Sequence, residues 1–151
     1  MSAYKTLRFD QHYIDIAHLT STMSRDNKIK VGCIIVRNGQ IVSEGYNGTV
    51  TGMDNRTRNS VGKTLPAVVH SEANALMKLA KNGGGSDGAT IYCTHSPCYD
   101  CAKLIIQAGI KRVVYSEIYD RDALKFIKER GLTLVCIKPS TRVSQQEDKP
   151  G

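Results

Sequence analysis

His70-Ser71-Glu72 and, 26 positions after Glu72, Cys98-Tyr99-Asp100-Cys101 restrict this chain more than any other feature. Each segment opens a stretch of helical spacing, so a fold that uses both must bring two helix starts together. Cys98 and Cys101 are three apart and share one face of a helical turn. Pro97 suits the entry to that helix. Two helix N-termini aimed at one place concentrate partial positive charge there, which favours thiolate over thiol at both cysteines. One imidazole and two thiolates are zinc ligands, and three ligands leave the fourth tetrahedral position to water. Glu72 is then better used as a proton carrier than as a ligand. The alternative is a closed structural zinc site completed by Cys93 or His95. His95 follows a strand-like run and precedes Pro97, which makes chelation awkward.

Around these segments the pattern alternates. Apolar residues Phe9, Tyr13, Ile16, Ala17 and Leu19 predict an amphipathic helix over 4–23. Val31 to Val36 reads as a buried strand, Asn38-Gly39 as a two-residue hairpin turn, and Ile41 to Tyr46 as the partner strand. Residues 47–68 form a long irregular stretch, and a loop of roughly 20 residues is uncommon unless it has a function. Helical spacing resumes over 70–81 and is stopped by Gly83-Gly84-Gly85. A strand over 89–94, a helix over 97–108, a strand over 112–116, a helix over 121–129 and a strand over 132–138 follow. A hairpin followed by alternating strands and helices predicts an α/β sheet with helices packed on its faces. The domain is expected to span 1–138. The tail 139–151 has Val143 as its one bulky apolar residue and is expected to be disordered.

The bulk numbers exclude several classes. At 151 residues, 40% hydrophobic and 23% charged, the chain is large enough for one core and ordinary in composition. No apolar run approaches the roughly 20 residues that span a membrane, and residues 1–10 contain no apolar signal-peptide core. Cys33, Cys93, Cys98, Cys101 and Cys136 make an odd count, which argues for a reducing compartment, taken here as the cytoplasm, over a disulfide framework. Cys33, Cys93 and Cys136 lie in strand-like runs and read as small buried hydrophobes. The net charge of +7 is dispersed, without a basic block and without Trp. That is a weak case for a nucleic-acid surface and is compatible with a small phosphate-bearing ligand.

The pattern His-x-Glu with Pro-Cys-x-x-Cys is that of the zinc-dependent nucleobase deaminases. The chain resembles the cytidine deaminase superfamily and, within it, the deoxycytidylate (dCMP) deaminases of the bacteriophage type. Beyond the catalytic motif, the resemblance is carried by Ser24-Arg25-Asp26, Lys30-Val31-Gly32-Cys33-Ile34-Ile35-Val36, Gly45-Tyr46-Asn47-Gly48 and Gln107-Ala108-Gly109-Ile110. It extends from Tyr4 to Lys138. It implies a three-layer fold, a mixed five-stranded sheet with helices on both faces. It implies one catalytic Zn2+ per subunit and hydrolysis of dCMP to dUMP and ammonia, a reaction that feeds thymidylate synthesis. It further implies a homohexamer, activation by dCTP with Mg2+, inhibition by dTTP, and the host cytoplasm if the source is viral.

Carried onto this chain, the resemblance makes His70, Cys98 and Cys101 the zinc ligands and Glu72 the proton shuttle. It makes Asn47 a partner of the sugar 3′-hydroxyl and Tyr119 a substrate contact near the phosphate. Ser24 and Arg25 are the phosphate candidates, because a hydroxyl and a guanidinium suit a phosphate monoester. Tyr46, Gly48, Thr49, Asp54, Arg56 and Arg58 are the effector-site candidates. Two other readings share the motif: a tRNA or other nucleic-acid deaminase, and a non-catalytic zinc-binding protein.

Overall fold

A computed structural model describes residues 3–143 of the chain. Helix α1 (Ala3–Ser21) precedes the hairpin β1 (Gly32–Arg37) and β2 (Gln40–Tyr46). Short strands β3 (Gly48–Thr49) and β4 (Val68–Val69) lead into α2 (Ser71–Asn82). Then come β5 (Thr90–His95), α3 (Tyr99–Gln107), β6 (Arg112–Glu117), α4 (Arg121–Glu129) and β7 (Thr133–Cys136). The five-stranded sheet runs β2-β1-β5-β6-β7. The β2/β1 and β1/β5 pairs are antiparallel, and β5, β6 and β7 run parallel. This is the mixed five-stranded sheet that the family resemblance implies.

Strand alternation sorts the core into two layers. Cys33, Ile35, Ile91, Cys93 and Val113 face α2, α3 and α4, where they meet Leu76, Leu79, Ile105 and Ile127. Ile34, Val36, Tyr92 and Val114 face α1, where they meet Tyr13, Ile14 and Ala17. Each fully buried isoleucine, Ile14, Ile91 and Ile105 among them, contributes about 1.5–3 kcal/mol from lost water contact.

The hairpin turn forms as expected. Asn38 and Gly39 have φ of 53° and 74°, the pair of positive values that a tight hairpin matched to strand twist requires. A different glycine sets the position of α2. A Cβ on Gly45 would lie 2.7 Å from the backbone nitrogen of Ala75, so only glycine lets β2 and α2 approach this closely. Ser43 Oγ donates to the Ala75 carbonyl (2.7 Å), and Asn74 Nδ2 donates to the Tyr46 carbonyl (2.8 Å). The start of α2, where Glu72 sits, is thereby fixed to the sheet.

Three local expectations change. Phe9 and Leu19 of α1 are 37% and 56% exposed. The buried stripe is rotated and carries the polar residues Asp10, His18 and Ser21. Those residues are buried because each has a partner. Asp10 accepts from both terminal guanidinium nitrogens of Arg112 (3.1 and 2.7 Å) and from the Tyr92 hydroxyl (2.6 Å), and His18 Nε2 lies 2.8 Å from Ser116 Oγ. Cys136 is exposed, not buried, because β7 is the edge strand. The 47–68 stretch is built, not irregular. Gly48 pairs with Val69, Thr49 with Val68, and Arg58 bridges Thr64. Of the tail expected to be disordered, 144–151 lie outside the described residues. Within 139–143, the Ser140 N–H donates to Asp15 Oδ1 on α1 at 2.9 Å. No helix among the described residues is long and apolar enough to cross a membrane.

Candidate metal centre and active site

His70 is the residue before α2, with φ −67° and ψ 155°, and its side chain makes no capping bond to the helix. The imidazole is therefore free to turn outward. Cys98 is the residue before α3 and accepts the Cys101 N–H at 3.5 Å on sulfur. His70 Nδ1 lies 3.5 Å from the Sγ of both Cys98 and Cys101. One donor atom from each residue lies within 4.8 Å of the other two. Two thiolates and one imidazole converging from two helix starts are a donor set that suits Zn2+. Among the described residues no Asp, Glu, His or Cys adds a fourth donor to this group. Cys93 is buried in the core, and His95 Nδ1 is occupied 2.9 Å from Thr94 Oγ1. The closed structural site thus lacks its fourth ligand among these residues, and the centre is an open one.

Without metal, Cys98 and Cys101 share a proton. Cys98 is pushed down to about 4 by the Cys101 thiol and by His70 beside it. Cys101 is pushed up because it donates to Cys98, is buried, and faces Glu72. His70 is raised above the ordinary imidazole value, chiefly by its contact with Cys98. Metal binding draws on thiolates and neutral imidazole, so it displaces these protons.

Glu72 is one residue into α2 from Ser71 and is 4% exposed. Burial raises its carboxyl above the usual carboxylate range, and the Ser71 hydroxyl (3.0 Å) and the Cys101 thiol pull the other way. A carboxyl whose proton affinity burial raises, set beside a candidate metal centre, is suited to take and return protons.

A cavity of about 620 Å³, counted with its open mouth, contains this centre. Its wall includes His70, Glu72, Cys98, Asn47, Arg58 and Tyr119. Asn47 is held by the chain on its other side. Its Oδ1 accepts the Val31 N–H (2.8 Å), and its Nδ2 donates to the Ile29 carbonyl (3.0 Å). Tyr119 is 63% exposed at the mouth, with its N–H on Ser96 Oγ at 2.8 Å. Ser24 lies outside the lining. Its hydroxyl donates to the Asn47 carbonyl (2.8 Å) and accepts the Asp26 N–H (3.2 Å). Arg25 lies outside as well. It lines a neighbouring pocket with Tyr46, Gly48, Thr49, Asn47, Asn55 and Thr57. Asp54 and Arg56 are exposed, and Asp54 carries the loop turn by accepting the Arg56 N–H at 3.0 Å. Arg58, an effector-site candidate from sequence, lines the cavity, and Arg25, a phosphate candidate from sequence, lines the second pocket.

Asp26 and Ser96 line the site and had no site role from sequence, and His95, considered there only as a fourth ligand of a closed zinc site, lines it too. For Asp26 a signal existed: an Asp two residues before Lys28 that accepts the Lys28 N–H (2.8 Å) and the Ile29 N–H (3.0 Å). Its side chain is 1% exposed and pairs with Arg58 Nε at 3.0 Å. Burial pushes the Asp26 carboxyl up, but the two backbone N–H groups and the Arg58 guanidinium outweigh it, and the net direction is down. A depressed folded value stabilises the fold above the unfolded carboxylate pKa of about 3.9, and that contribution is lost as pH falls through the folded value. The urea midpoint of the wild type is therefore expected to drop more steeply below about pH 4 than that of Asp26→Asn. Parallel curves from pH 7 to pH 3 would remove this role.

An open three-donor candidate metal centre with a buried carboxyl beside it, set between two helix starts on an α/β/α frame, fits a hydrolytic metalloenzyme class. Residues 7–117 match the cytidine and deoxycytidylate deaminase zinc-binding region. The chain belongs to that family. It is similar to the dCMP deaminase of cyanophage S-TIM5, solved in complex with dCMP and dUMP. That likeness is at 38% identity with a TM-score of 0.85 and covers 91% of this chain and 99% of that one. The deoxycytidylate deaminase of Enterobacteria phage T4 is 34% identical, over 72% of this chain and 78% of its own. The Saccharomyces cerevisiae deoxycytidylate deaminase is also 34% identical, over 83% of this chain and 44% of its own, so this chain spans less than half of the yeast protein.

Proposed function

We propose that the chain hydrolyses dCMP to dUMP and ammonia. The observation that carries this is the open His70-Cys98-Cys101 centre with buried Glu72 in the wall of the same cavity. His70, Cys98 and Cys101 would hold Zn2+, which when bound supplies Lewis acidity and water acidification. The remaining chemistry falls to the chain. Glu72 takes a proton from the attacking water, and the water oxygen bonds to the ring carbon bearing the amine. Glu72 then delivers that proton to the ring nitrogen, takes the second proton from the hydroxyl now on the ring carbon, and passes it to the departing amine as the carbon–nitrogen bond breaks. The overall balance is dCMP plus water to dUMP plus ammonia. Asn47, anchored at Ile29 and Val31, has a remaining N–H and lone pair for the sugar 3′-hydroxyl. The phosphate would meet Arg58 and Tyr119, both in the cavity wall, with Arg58 as its cation in place of the Ser24 and Arg25 expected from the sequence.

The second pocket, with Arg25, Tyr46, Gly48 and Thr49, is the proposed effector site for dCTP with Mg2+ and, in opposition, for dTTP. Asn47 lines both pockets, so an effector there touches the residue that meets the sugar. The proposed assembly is a homohexamer, and the proposed compartment is the cytoplasm, in keeping with five free cysteines. Elution and light scattering at one subunit mass would remove the hexamer.

The test is an ammonia-release screen over dCMP, CMP, deoxycytidine, dCTP and adenosine, each with and without dCTP and Mg2+. The expected result is turnover of dCMP well above that of deoxycytidine, and sigmoidal dCMP curves that become hyperbolic with dCTP. Equal rates on dCMP and deoxycytidine would sink the substrate assignment. Curves unchanged by dCTP and dTTP would remove the effector site and leave the reaction standing.

A further inference from the structure

His95 ends β5 three residues ahead of Cys98 and lines the same cavity as Glu72 and Arg58. It is not part of the metal cluster, and the proton chemistry above does not use it. Its neighbours fix its tautomer. Thr94 is 1% exposed, and its Oγ1 already accepts the Gly32 N–H at 3.1 Å. The buried hydroxyl proton then needs an acceptor. His95 Nδ1 at 2.9 Å is the one that the described residues offer. Nδ1 is therefore the acceptor, and the ring proton sits on Nε2.

Nε2 has no partner among the described residues. No buried side-chain nitrogen or oxygen among them lacks one, so Nε2 is accessible. Burial, together with His18 and Lys138, holds the ring below the ordinary imidazole value, against the smaller opposing pull of Glu117. The cavity wall thus carries a neutral N–H donor, held in place and uncommitted.

Away from the metal cluster the wall also carries the exposed Tyr119 hydroxyl, but its other side-chain nitrogen donors are engaged. Arg58 is already tied to Asp26 Oδ1 (3.0 Å) and to the Gly62 carbonyl (2.9 Å). Asn47 is anchored on both of its amide atoms. Asp26 presents an acceptor, which repels an anion. A phosphate monoester has three oxygens that seek donors, more than Arg58 alone can serve. The geometry points to His95 as a specificity-determining residue that donates Nε2–H to the 5′-phosphate of the nucleotide. This rests on the reading of the substrate as a nucleoside monophosphate. In that role His95 contributes to the choice of nucleotide over nucleoside and leaves the ring chemistry to Glu72.

Two variants test this. His95→Leu removes the donor, and His95→Gln places an amide N–H near the Nε2 position. Binding of dUMP and of deoxyuridine is measured by calorimetry on the zinc-loaded protein, beside kcat and KM for dCMP and deoxycytidine. A lost hydrogen bond to a charged group corresponds to roughly 10–100-fold. His95→Leu is expected to weaken dUMP by about that factor, to raise KM for dCMP in parallel, and to leave kcat and deoxyuridine binding within about twofold of wild type. His95→Gln is expected to recover most of the loss. Equal losses on dUMP and deoxyuridine, or a fall in kcat with KM unchanged, would assign His95 a structural or general role and overturn the inference. Full dUMP preference in His95→Leu overturns it as well. Wild-type protein that binds dUMP no tighter than deoxyuridine sinks this inference and the substrate reading together, whereas loss of the inference alone leaves wild-type dUMP preference intact.

Discussion

Replacing Glu72 by Gln is expected to lower turnover by about 10²–10⁴-fold, the range contributed by a positioned proton carrier, with zinc content unchanged. Gln has the same size, and its amide oxygen still accepts the Ser71 hydroxyl that now lies 3.0 Å from Glu72 Oε1. Glu72 is not a member of the three-residue metal group, so metal analysis of the variant should match the wild type. Stability should hold or rise slightly, because the change removes an ionisable group from a site where burial disfavours its charge. Folded, zinc-loaded protein that retains turnover within tenfold of wild type would show that another group moves the protons. Loss of zinc in the same variant would show Glu72 to be a ligand. Either result would rule out the assignment of Glu72 as the shuttle.

Replacing Cys101 by Ala is expected to empty the metal site. Cys101 is 3% exposed, and its sulfur lies 3.5 Å from His70 Nδ1. Losing an outer partner of a metal ligand costs roughly 10–100-fold in metal affinity, and losing a ligand itself should exceed that. After desalting, the wild type should hold about one zinc per chain and the variant close to none, with deamination reduced to background. The site joins the starts of α2 and α3, two elements that are otherwise held apart by 28 positions between His70 and Cys98. Chelation should therefore lower the thermal midpoint of the wild type and leave that of Cys101→Ala unmoved. A variant that keeps stoichiometric zinc, or a wild type indifferent to chelators in both metal content and melting, would refute the assignment.

Much of the fold was legible because its signals are local. The positive-φ turn at Asn38-Gly39, the buried run of β1 and the glycine at the end of α2 (Gly83, φ 78°) each follow from residues within a few positions. The stripe of α1 was not legible. The Ser21 hydroxyl turns back to the His18 carbonyl of its own helix, whereas Asp10 and His18 are polar residues whose burial became favourable because Arg112, Tyr92 and Ser116 meet them from the sheet. Those partners are about 100 positions away: |i−j| is 102 for Asp10–Arg112 and 98 for His18–Ser116. No periodicity rule reaches that far. Cys136 failed as a buried residue for a similar reason. An apolar run marks a strand, but its place at a sheet edge is a property of strand order.

For the site, residue type and spacing determined the chemistry. One imidazole, two sulfurs three positions apart and a carboxylate two positions from the imidazole select an open zinc centre, because donor number and softness are properties of the side chains themselves. The distribution of the positive and polar groups around that centre was decided by tertiary structure alone. Arg25 and Arg58 are alike as loop charges. The pairing of Arg58 with buried Asp26, through a loop closed by the Gly48–Thr49/Val68–Val69 ladder, brings one of them into the cavity. The turn that spends the Ser24 hydroxyl on Asn47 leaves the other outside. The Nε2 of His95 likewise took on its donor role only when the Gly32 N–H, from another strand, bonded to Thr94 Oγ1 and turned the Thr94 hydroxyl towards Nδ1. Ligand identity lies in the chain, whereas the direction in which a loop charge or a ring nitrogen points depends on partners that only the folded sheet brings within hydrogen-bond distance.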